Sequence, residues 1–331
     1  MQLGIWAPLP HTISREPEID AALADLTTPG QGQQIDRSYQ FVLDTVRRAE
    51  DIGFDITLVA ERLVAPDLEA WLVSSALAVQ TSKIQIMTAV HPGIIVPQVV
   101  AKMGASLDRL SGGRFVVNVV PGRRTHEFDL YGNGGWLDGA EGRYTRVDEF
   151  IHVMKGLWTH DPFNFDGAFY PVRDGSLATK PLRQPAPPIY AASSDDRAKE
   201  TIARTCDLWF VSHEPGHVNY ERNMASIAKD IGEMKQRADR YGRSLGFGIS
   251  TLVLPAASMD EAYRLAGEIE ADPALNVAAK ALGAGLMGPP QVIADRIRRY
   301  EDIGMTCLML QFHPMKHGLE RFANDIMPLL R

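Results

Sequence analysis

Two spacings in this sequence match the letters of zinc sites. Residues 213–217 read His-Glu-Pro-Gly-His, and a site of the H-E-x-x-H type needs both histidines on one face of a helix. Pro followed by Gly inside a helix costs roughly 4 kcal/mol relative to Ala, so a loop is predicted there. His313 and His317 are also four residues apart, but Pro314 and Gly318 argue against a shared helical face. We therefore predict no metal site.

Residues 283–288 read Gly-Ala-Gly-Leu-Met-Gly, the letters of a dinucleotide-binding turn. That turn has to leave a strand and open a helix, because its backbone N–H groups must reach a pyrophosphate. Here the glycines follow an Ala-rich helical pattern and precede Pro289 and Pro290. No dinucleotide site is predicted.

Asn118 and the pair Ser193 and Ser194 are stronger candidates for ligand contacts. Asn118 lies in an apolar run, and a buried amide without a partner costs roughly 1–3 kcal/mol, so it needs either neighbouring backbone or a ligand. Ser193 and Ser194 precede a helical pattern that begins near Asp195. A helix start of this kind either binds a phosphate or is capped by Ser193 and Asp195.

The elements that would position these residues alternate along the whole chain. Short apolar runs, typical of parallel strands, are predicted at 2–7, 55–60, 83–89, 114–120, 188–192, 207–212, 246–254 and 306–311. Helical patterns occupy 34–52, 69–80, 97–110, 141–159, 195–204, 220–241, 258–268, 290–303 and 319–330. Eight βα units predict a single α/β domain over 1–331, a (β/α)8 TIM barrel, with a doubly wound open sheet as the rival.

In such a barrel the active site lies at the C-terminal ends of the strands. The connections on that side are predicted to be long and irregular at 8–33, 121–140, 213–219 and after residue 311. We also predict a hairpin insertion near 160–187, with an Asp-Gly turn, and a mobile loop or short helix over the barrel mouth near 271–290.

Composition narrows the class of protein. With 331 residues, 45% hydrophobic and 23% charged residues, the chain is expected to be folded and soluble. A net charge of −7 without a basic cluster excludes a nucleic-acid partner, and no apolar stretch reaches the length of a membrane span. Cys206 and Cys307 lie in apolar runs and are predicted to be buried thiols. Without a signal sequence, a cytoplasmic protein with a small-molecule ligand is expected.

Several motifs together resemble a known family. They are residues 49–55 (Ala-Glu-Asp-Ile-Gly-Phe-Asp), Trp71, residues 107–122 around Ser-Gly-Gly-Arg-Phe, Glu127, residues 141–144 (Glu-Gly-Arg-Tyr), residues 191–195 (Ala-Ala-Ser-Ser-Asp) and residues 288–297. Over almost its whole length the sequence resembles the bacterial-luciferase-like flavin-dependent monooxygenases. The nearest subgroup contains the alkanesulfonate, dimethylsulfone and pyrimidine monooxygenases.

The resemblance implies a (β/α)8 barrel that binds reduced FMN (FMNH2) at the C-terminal ends of its strands and consumes O2. The positions that match the family's cofactor-binding residues are Glu61, Arg62, Asn118, Glu127, Arg143, Tyr144, Ser193 and Ser194. The resemblance favours the phosphate for Ser193 and Ser194 and the isoalloxazine edge for Asn118. A structural hydrogen bond of Asn118, and an exposed first helical turn at Arg143 and Tyr144, remain the alternatives.

Departures from the family pattern bear on the substrate. Where the alkanesulfonate enzymes have an Arg and a His facing the sulfonate, this sequence has Ser250 and Leu252, and the reactive Cys after strand two is absent. Both differences disfavour a sulfonate anion. His313 follows strand eight and is the candidate catalytic acid or base, with a structural histidine as the alternative. Trp6, His91 and Phe312 are predicted to line the substrate pocket.

The sequence therefore predicts a two-component FMNH2-dependent monooxygenase supplied by a separate NAD(P)H-dependent flavin reductase. Its substrate would be a small organosulfur compound, a sulfonate or a sulfone, or an N-heterocycle. An F420-dependent hydride-transfer enzyme and a non-catalytic flavin-binding protein are the alternatives. The resemblance also suggests a homodimer or homotetramer.

Overall fold

The computed structural model describes residues 1–13, 16–27, 35–122, 125–132 and 140–330 of the chain. Its strands are β1 (Gln2–Trp6), β2 (Ile56–Val59), β3 (Gln85–Val90), β4 (Phe115–Val119), β5 (Phe163–Phe165), β6 (Val172–Gly175), β7 (Ile189–Ala192), β8 (Leu208–Phe210), β9 (Gly246–Pro255), β10 (Met287–Gly288) and β11 (Cys307–Phe312). Parts of the predicted connections 8–33 and 121–140, and the side chain of Glu141, lie outside the described residues.

Helices connect the strands and surround them. They are α1 (Pro17–Thr27), α2 (Arg37–Ile52), α3 (Ala70–Gln80), α4 (Pro97–Leu110), α5 (Thr125–Leu130), α6 (Ala140–Thr159), α7 (Asp196–Thr205), α8 (Tyr220–Asp239), α9 (Met259–Ala271), α10 (Asn276–Ala281), α11 (Pro290–Asp302) and α12 (Met315–Arg321).

Eight parallel strands close into a barrel in the order β1, β2, β3, β4, β7, β8, β9, β11. Closure comes from the pairing of β11 with β1, where Gln2 is in register with Cys307, and of β8 with β9, where Leu208 is in register with Gly246. The (β/α)8 prediction is confirmed, and the open sheet is excluded because both of its edges are paired. The short β10 pairs only with the end of β9.

Two layers of apolar side chains hold the barrel. Outward-facing strand residues such as Ile5, Val117 and Ile249 are fully buried against the helices. Inside, Ile56, Met309 and their neighbours fill the lower part of the barrel, and Gly4 leaves the space they occupy, since an added Cβ would lie 2.3 Å from Met309 Sδ. This filled lower half leaves room only at the C-terminal ends of the strands.

Three predicted regions differ in detail from the structure. The connection predicted at 8–33 contains α1, and the one at 121–140 contains α5. The last helix begins at Met315, four residues before the predicted start at residue 319. Beyond Arg321 the chain continues as a π-helical turn and then as a 3-10 turn to Leu330. Sequence patterns locate helix ends poorly because caps and tertiary contacts, rather than periodicity, set them.

The hairpin insertion is built around a buried carboxylate. β5 and β6 pair antiparallel, and residues 166–171 connect them, a longer loop than the predicted Asp-Gly turn. Both Glu149 oxygens accept backbone N–H groups, from Ala168 at 2.9 Å and from Phe169 and Tyr170 at 2.8 and 3.0 Å. The Glu149 side chain therefore fixes the shape of this loop.

The segment 271–290 is helical and packed. It forms α10 with flanking 3-10 turns, and Leu282, Ala284 and Leu286 are buried. Of the two predicted forms, the short helix is the one observed. Leu275 and Ala278 belong to the same apolar cluster as Leu252 of β9, so the segment covers one side of the barrel mouth.

Two of the three discounted motif matches can be seen not to form the sites that their letters suggest. Residues 213–217 are a loop in which His213 Nε2 lies 3.1 Å from the carbonyl oxygen of Ser250, while His217 Nδ1 lies 3.0 Å from Glu270 Oε2. The two rings therefore have different partners. Gly283 follows α10 rather than a strand, and an added Cβ would lie 1.9 Å from the Glu214 carbonyl oxygen.

Both cysteines are buried free thiols, as predicted. Burial raises the pKa of Cys206 and of Cys307 to about 12, so neither is a reactive thiolate at neutral pH. Within the described ranges, no helix combines the length and the apolar character needed to cross a membrane.

The close approach of Gly283 to the Glu214 carbonyl oxygen leads to a prediction about stability. Gly283→Ala should lower the free energy of unfolding by about 1–3 kcal/mol, because its methyl group meets backbone that cannot move aside. Gly267 in α9 has no atom within 4 Å of an added Cβ, so Gly267→Ala should instead stabilise the protein by about 1 kcal/mol. Urea denaturation measures both. Equal effects of the two substitutions would contradict the packing described here.

Candidate functional site

A cavity of about 350 Å³ opens at the C-terminal ends of the barrel strands, and we call it the central cavity. Each barrel strand, or the residues directly after it, contributes to its wall. The lining residues are Trp6, His11, Leu58, Ala60, Glu61, Arg62, Ala89, His91, Asn118, Val120, Ala192, Phe210, Val211, Ser212, Ser250 and Met309. The wall is mainly apolar with a few polar groups, as is typical of small-molecule sites.

Two smaller spaces adjoin it. The mouth cleft shares Trp6 and His11 with the central cavity and adds Phe312, His313 and residues of α10. A side cavity of about 220 Å³ shares Glu61, Arg62 and His91 and adds Asp67 and Tyr131. The three spaces together occupy the end of the barrel where (β/α)8 enzymes carry their active sites.

Three of the residues that line the central cavity each have one buried polar atom without a hydrogen-bond partner among the described residues. The atoms are Asn118 Oδ1, His91 Nδ1 and Trp6 Nε1. Asn118 is 7% exposed and His91 is 8% exposed, so both side chains are nearly withdrawn from bulk water. Because buried polar groups are normally satisfied, an acceptor and two ring nitrogens of residues that line one cavity indicate a ligand with complementary polar groups.

The positive charge of Arg62 at the central cavity is compensated by the carboxylate of Glu127. Arg62 Nε donates to Glu127 Oε1 at 2.7 Å, and Glu127 is 4% exposed. A buried ion pair is costly to break, because removal of one partner leaves the other charge unpaired. Among the described residues of the wall, Arg62 is the only Lys or Arg.

Glu61 lies between the central and side cavities. Its Oε2 accepts the backbone N–H of Ala70 at 3.0 Å, at the start of α3. Burial raises the pKa of Glu61 from 4.5 to about 7, and the nearby carboxylates of Glu69 and Asp67 add to the rise. Glu61 therefore titrates closer to neutral pH than an ordinary glutamate does.

The two histidines predicted at the mouth are both disfavoured as cations. Burial lowers the pKa of His91, whose Nε2 lies 3.4 Å from the carbonyl oxygen of Glu61. Burial also lowers the pKa of His313, which lines the mouth cleft and not the central cavity. Both rings are thus neutral near pH 7.

Arg143 and Tyr144 lie in the first turns of α6 and contact each other. Arg143 Nη2 donates to the Tyr144 hydroxyl at 3.0 Å, and the guanidinium lies 4.7 Å from the ring centre. Tyr144 is buried, so the alternative of an exposed first helical turn is wrong for it. Arg143 Nε is buried and has no partner in the described part of the chain.

The start of α7 is capped by the protein itself. Asp195 accepts the backbone N–H groups of Arg197 at 2.9 Å and Ala198 at 3.4 Å, and Ser193 Oγ accepts that of Asp195 at 3.1 Å. These three amides therefore have partners within the protein, so a phosphate bound at this helix start would depend on side chains rather than on these amides. Ser194 is exposed beside them.

The predicted site residues fall into three groups. Trp6, Glu61, Arg62, His91 and Asn118 line the central cavity. Phe312 and His313 line the mouth cleft. A third group does not line either space; it comprises Glu127, Arg143, Tyr144, Ser193 and Ser194, of which Glu127 acts on the cavity through Arg62.

Sequence reasoning missed His11 and Asp67. The Asp67 carboxylate accepts the His11 backbone N–H at 3.0 Å and contacts His11 Nδ1 with its other oxygen. The available signal was position, since His11 follows β1 and Asp67 follows β2, on the side of the barrel that carries active sites. Nothing in the sequence indicated that the two would meet.

Comparisons with known proteins agree on one family. A family model described as luciferase-like monooxygenase matches residues 19–307. An FMNH2-dependent dimethylsulfone monooxygenase from Pseudomonas putida is 30% identical over 320 residues, which cover 86% of this chain and 85% of that protein.

Solved structures share the fold at lower identity. The EDTA monooxygenase EmoA from Chelativorans sp. BNC1 superimposes with a TM-score of 0.77 at 19% identity and covers 100% of this chain and 93% of its own. An F420-dependent tetrahydromethanopterin reductase from Methanopyrus kandleri has a TM-score of 0.70 at 17% identity, with 88% and 96% covered. The fold alone therefore does not distinguish oxygenation from hydride transfer.

The raised pKa of Glu61 predicts a pH-dependent stability. Between pH 4.5 and 7 the folded state holds a proton that the unfolded state has released, so this group's contribution to stability is lost as the pH rises through that window. Glu61→Gln should therefore gain stability relative to wild type, by up to about 3 kcal/mol, between pH 5 and pH 8. Urea denaturation at both pH values measures the gain, and a difference that does not change with pH would contradict it.

Proposed function

This chain belongs to the luciferase-like monooxygenase family, and from that membership we propose that it is a two-component flavin-dependent monooxygenase. It takes reduced FMN from a separate reductase and uses O2 to oxygenate a small uncharged organosulfur or N-heterocyclic compound. The observation that carries the proposal is the central cavity, where the lining residue Asn118 has a buried Oδ1 without a partner among the described residues.

The donor set of the central cavity fits an isoalloxazine ring. Such a ring has a flat apolar body and polar N–H and C=O groups at one edge. Leu58, Ala60 and Met309 offer an apolar surface, while Asn118 Oδ1 offers an acceptor to an N–H group. Because the orphaned atoms belong to strand ends, the barrel would hold the ring without rearrangement.

The phosphate would bind where α6 and α7 begin. Arg143 brings a guanidinium with a buried, unpartnered Nε, and Ser194 brings an exposed hydroxyl. Because Asp195 caps α7 and is itself an anion, Arg143 would have to outweigh its repulsion of the phosphate. This makes Arg143, more than the helix dipole, the group that favours a phosphate.

Bound reduced FMN would supply the two electrons that activate O2. The chain's own contribution is enclosure and orientation: Trp6 borders both the central cavity and the mouth cleft, and Phe312 and α10 line that cleft. Exclusion of water matters because stray protons divert the activated oxygen to H2O2. Asn118 and His91 would hold the ring edge, and Arg62 keeps its place through Glu127.

The charges at the site favour an uncharged substrate. Arg62 is neutralised by Glu127, and the pKa values of His91 and His313 are lowered, so no described wall residue offers an uncompensated positive charge. Ser250 faces the cavity and accepts from Gln311 Nε2 at 3.2 Å, and Leu252 is buried. An anion would have to leave water without a counter-charge, which is costly.

The proposal includes two kinds of partner. A separate NAD(P)H-dependent flavin reductase must supply FMNH2, since this chain is proposed to bind the flavin only as a co-substrate. Assembly into a homodimer or a homotetramer is proposed through α3, which contains no charged residue and leaves Leu72 71% exposed and Val79 63% exposed. A second copy of the chain would remove this apolar surface from water.

The phosphate position is tested by Ser194→Asp. Repulsion between the new carboxylate and the phosphate should weaken FMN binding by at least about ten-fold, equivalent to about 1.4 kcal/mol. Riboflavin lacks the phosphate, so its affinity should stay the same, and the uncharged variant Ser194→Asn serves as the matched control. Fluorescence titration measures the affinity of each variant for FMN and for riboflavin. Equal loss of FMN and riboflavin, or no loss of either, would remove Ser194 from the phosphate site.

Substrate class is tested with pairs of similar size and different charge. With a flavin reductase and O2 present, we expect kcat/KM for dimethyl sulfone or a neutral pyrimidine to exceed that for methanesulfonate by at least about ten-fold, because a buried unpaired charge costs more than 1.4 kcal/mol. Mass spectrometry of the products measures the turnover. A preference for the sulfonate would contradict the neutral-cavity argument.

A further inference from the structure

His11 and Asp67 form a buried two-point contact at the barrel mouth. Their side chains are 9% and 2% exposed. One Asp67 oxygen accepts the His11 backbone N–H at 3.0 Å, and the other contacts His11 Nδ1. The imidazole is therefore fixed through both its main chain and its ring.

This contact determines which ring nitrogen carries a proton. A carboxylate can only accept hydrogen bonds, so Nδ1 must be the protonated nitrogen in the neutral ring. Nε2 is then a bare acceptor, and within the described ranges it has no protein partner. Orientation of an imidazole by a carboxylate at Nδ1 is the arrangement by which enzymes prepare Nε2 for proton transfer.

The location of His11 fits such a role. Its ring lines both the central cavity and the mouth cleft, where a substrate entering from solvent would meet a ring bound among the strand ends. His91 and His313 are placed nearby, but burial lowers the pKa of each, and neither has a hydrogen-bonded carboxylate in the described structure. His11 alone among these three has a carboxylate in contact with its ring.

We propose that His11 is a catalytic acid–base residue of this site and that Asp67 is its positioning residue. The inference rests on the proposed function. In oxygenation by O2 with a reduced flavin, one oxygen atom enters the product and the other becomes water. His11 Nε2–H donates a proton to the oxygen that becomes water: the N–H bond breaks and an O–H bond forms. The neutral ring then takes up a proton again. The cycle balances because oxidation of the reduced flavin releases protons.

The charges around the pair are compatible with this cycle. Across the cavities His11 and Asp67 face Glu61, the Arg62–Glu127 ion pair, His91 and His313. The imidazolium and Asp67 together are neutral, so transfer of the proton leaves one negative charge. Glu61, whose pKa burial raises to about 7, lines the central cavity with His11 and the side cavity with Asp67.

The first test is spectroscopic and uses the flavin-free wild-type protein. Nitrogen-15 NMR of labelled histidines should find the His11 proton on Nδ1 when the ring is neutral, and Asp67→Asn should abolish that preference. A neutral ring with its proton on Nε2 would overturn the proposal. This readout needs neither flavin nor turnover, so it remains valid if the proposed function fails.

The second test measures how much product forms for each molecule of reduced FMN that is oxidised. His11→Asn should lower product formed per FMNH2 oxidised by at least about ten-fold, with H2O2 as the balance, because general acid catalysis contributes about 10²–10⁴-fold. Asp67→Asn should also lower it by at least about ten-fold, because the ring loses the carboxylate that fixes its tautomer and orientation. Affinity for reduced FMN should stay within about two-fold of wild type in both variants.

A second His–carboxylate pair provides the matched control. His217 Nδ1 lies 3.0 Å from Glu270 Oε2, and neither residue lines the central cavity or the mouth cleft. His217→Asn and Glu270→Gln should leave the product yield unchanged. If His11→Asn matches these controls, or loses flavin binding in proportion to yield, His11 is not an acid–base residue. Absence of turnover in wild type, by contrast, would count against the proposed function.

Discussion

Closure of the parallel sheet is the constraint on which the site depends. β11 pairs with β1 and β8 with β9, so the carboxyl ends of all eight barrel strands meet in one ring. Residues as distant in the chain as Trp6, Asn118 and Ser250 therefore share one cavity. Their separations are set by backbone hydrogen bonds of the barrel, which lets the loops vary without moving the groups at the strand ends.

Charge compensation among the residues at these strand ends connects the packing of the site to its chemistry. Arg62 is held by Glu127 and His11 by Asp67, and burial raises the pKa of Glu61. Each arrangement avoids an unpaired charge in a water-poor space, which would cost several kcal/mol. The same arrangements leave a cavity with little net charge, which suits a flavin ring and a neutral substrate. Stability and the proposed substrate class thus depend on one electrostatic requirement.

The sequence allowed the barrel to be predicted because eight apolar runs alternate with helical patterns, and periodicity records burial. The need of Asn118 for a hydrogen-bond partner could also be predicted, since it is an amide in an apolar strand. The pairing of His11 with Asp67 could not, because it joins two loops whose meeting depends on the closed barrel. Capping of α7 by Asp195 was one of two predicted alternatives, and only the side-chain geometry could show that this cap is formed.

Selective binding of reduced FMN is the central claim, and an anaerobic titration tests it most directly. The purified protein is titrated with reduced FMN, oxidised FMN and F420, and binding is followed by fluorescence. The account predicts that reduced FMN binds at least about ten-fold more tightly than either of the others, a difference of about 1.4 kcal/mol. A preference for F420 would indicate hydride transfer, tight binding of oxidised FMN alone would indicate storage, and either result would contradict the account.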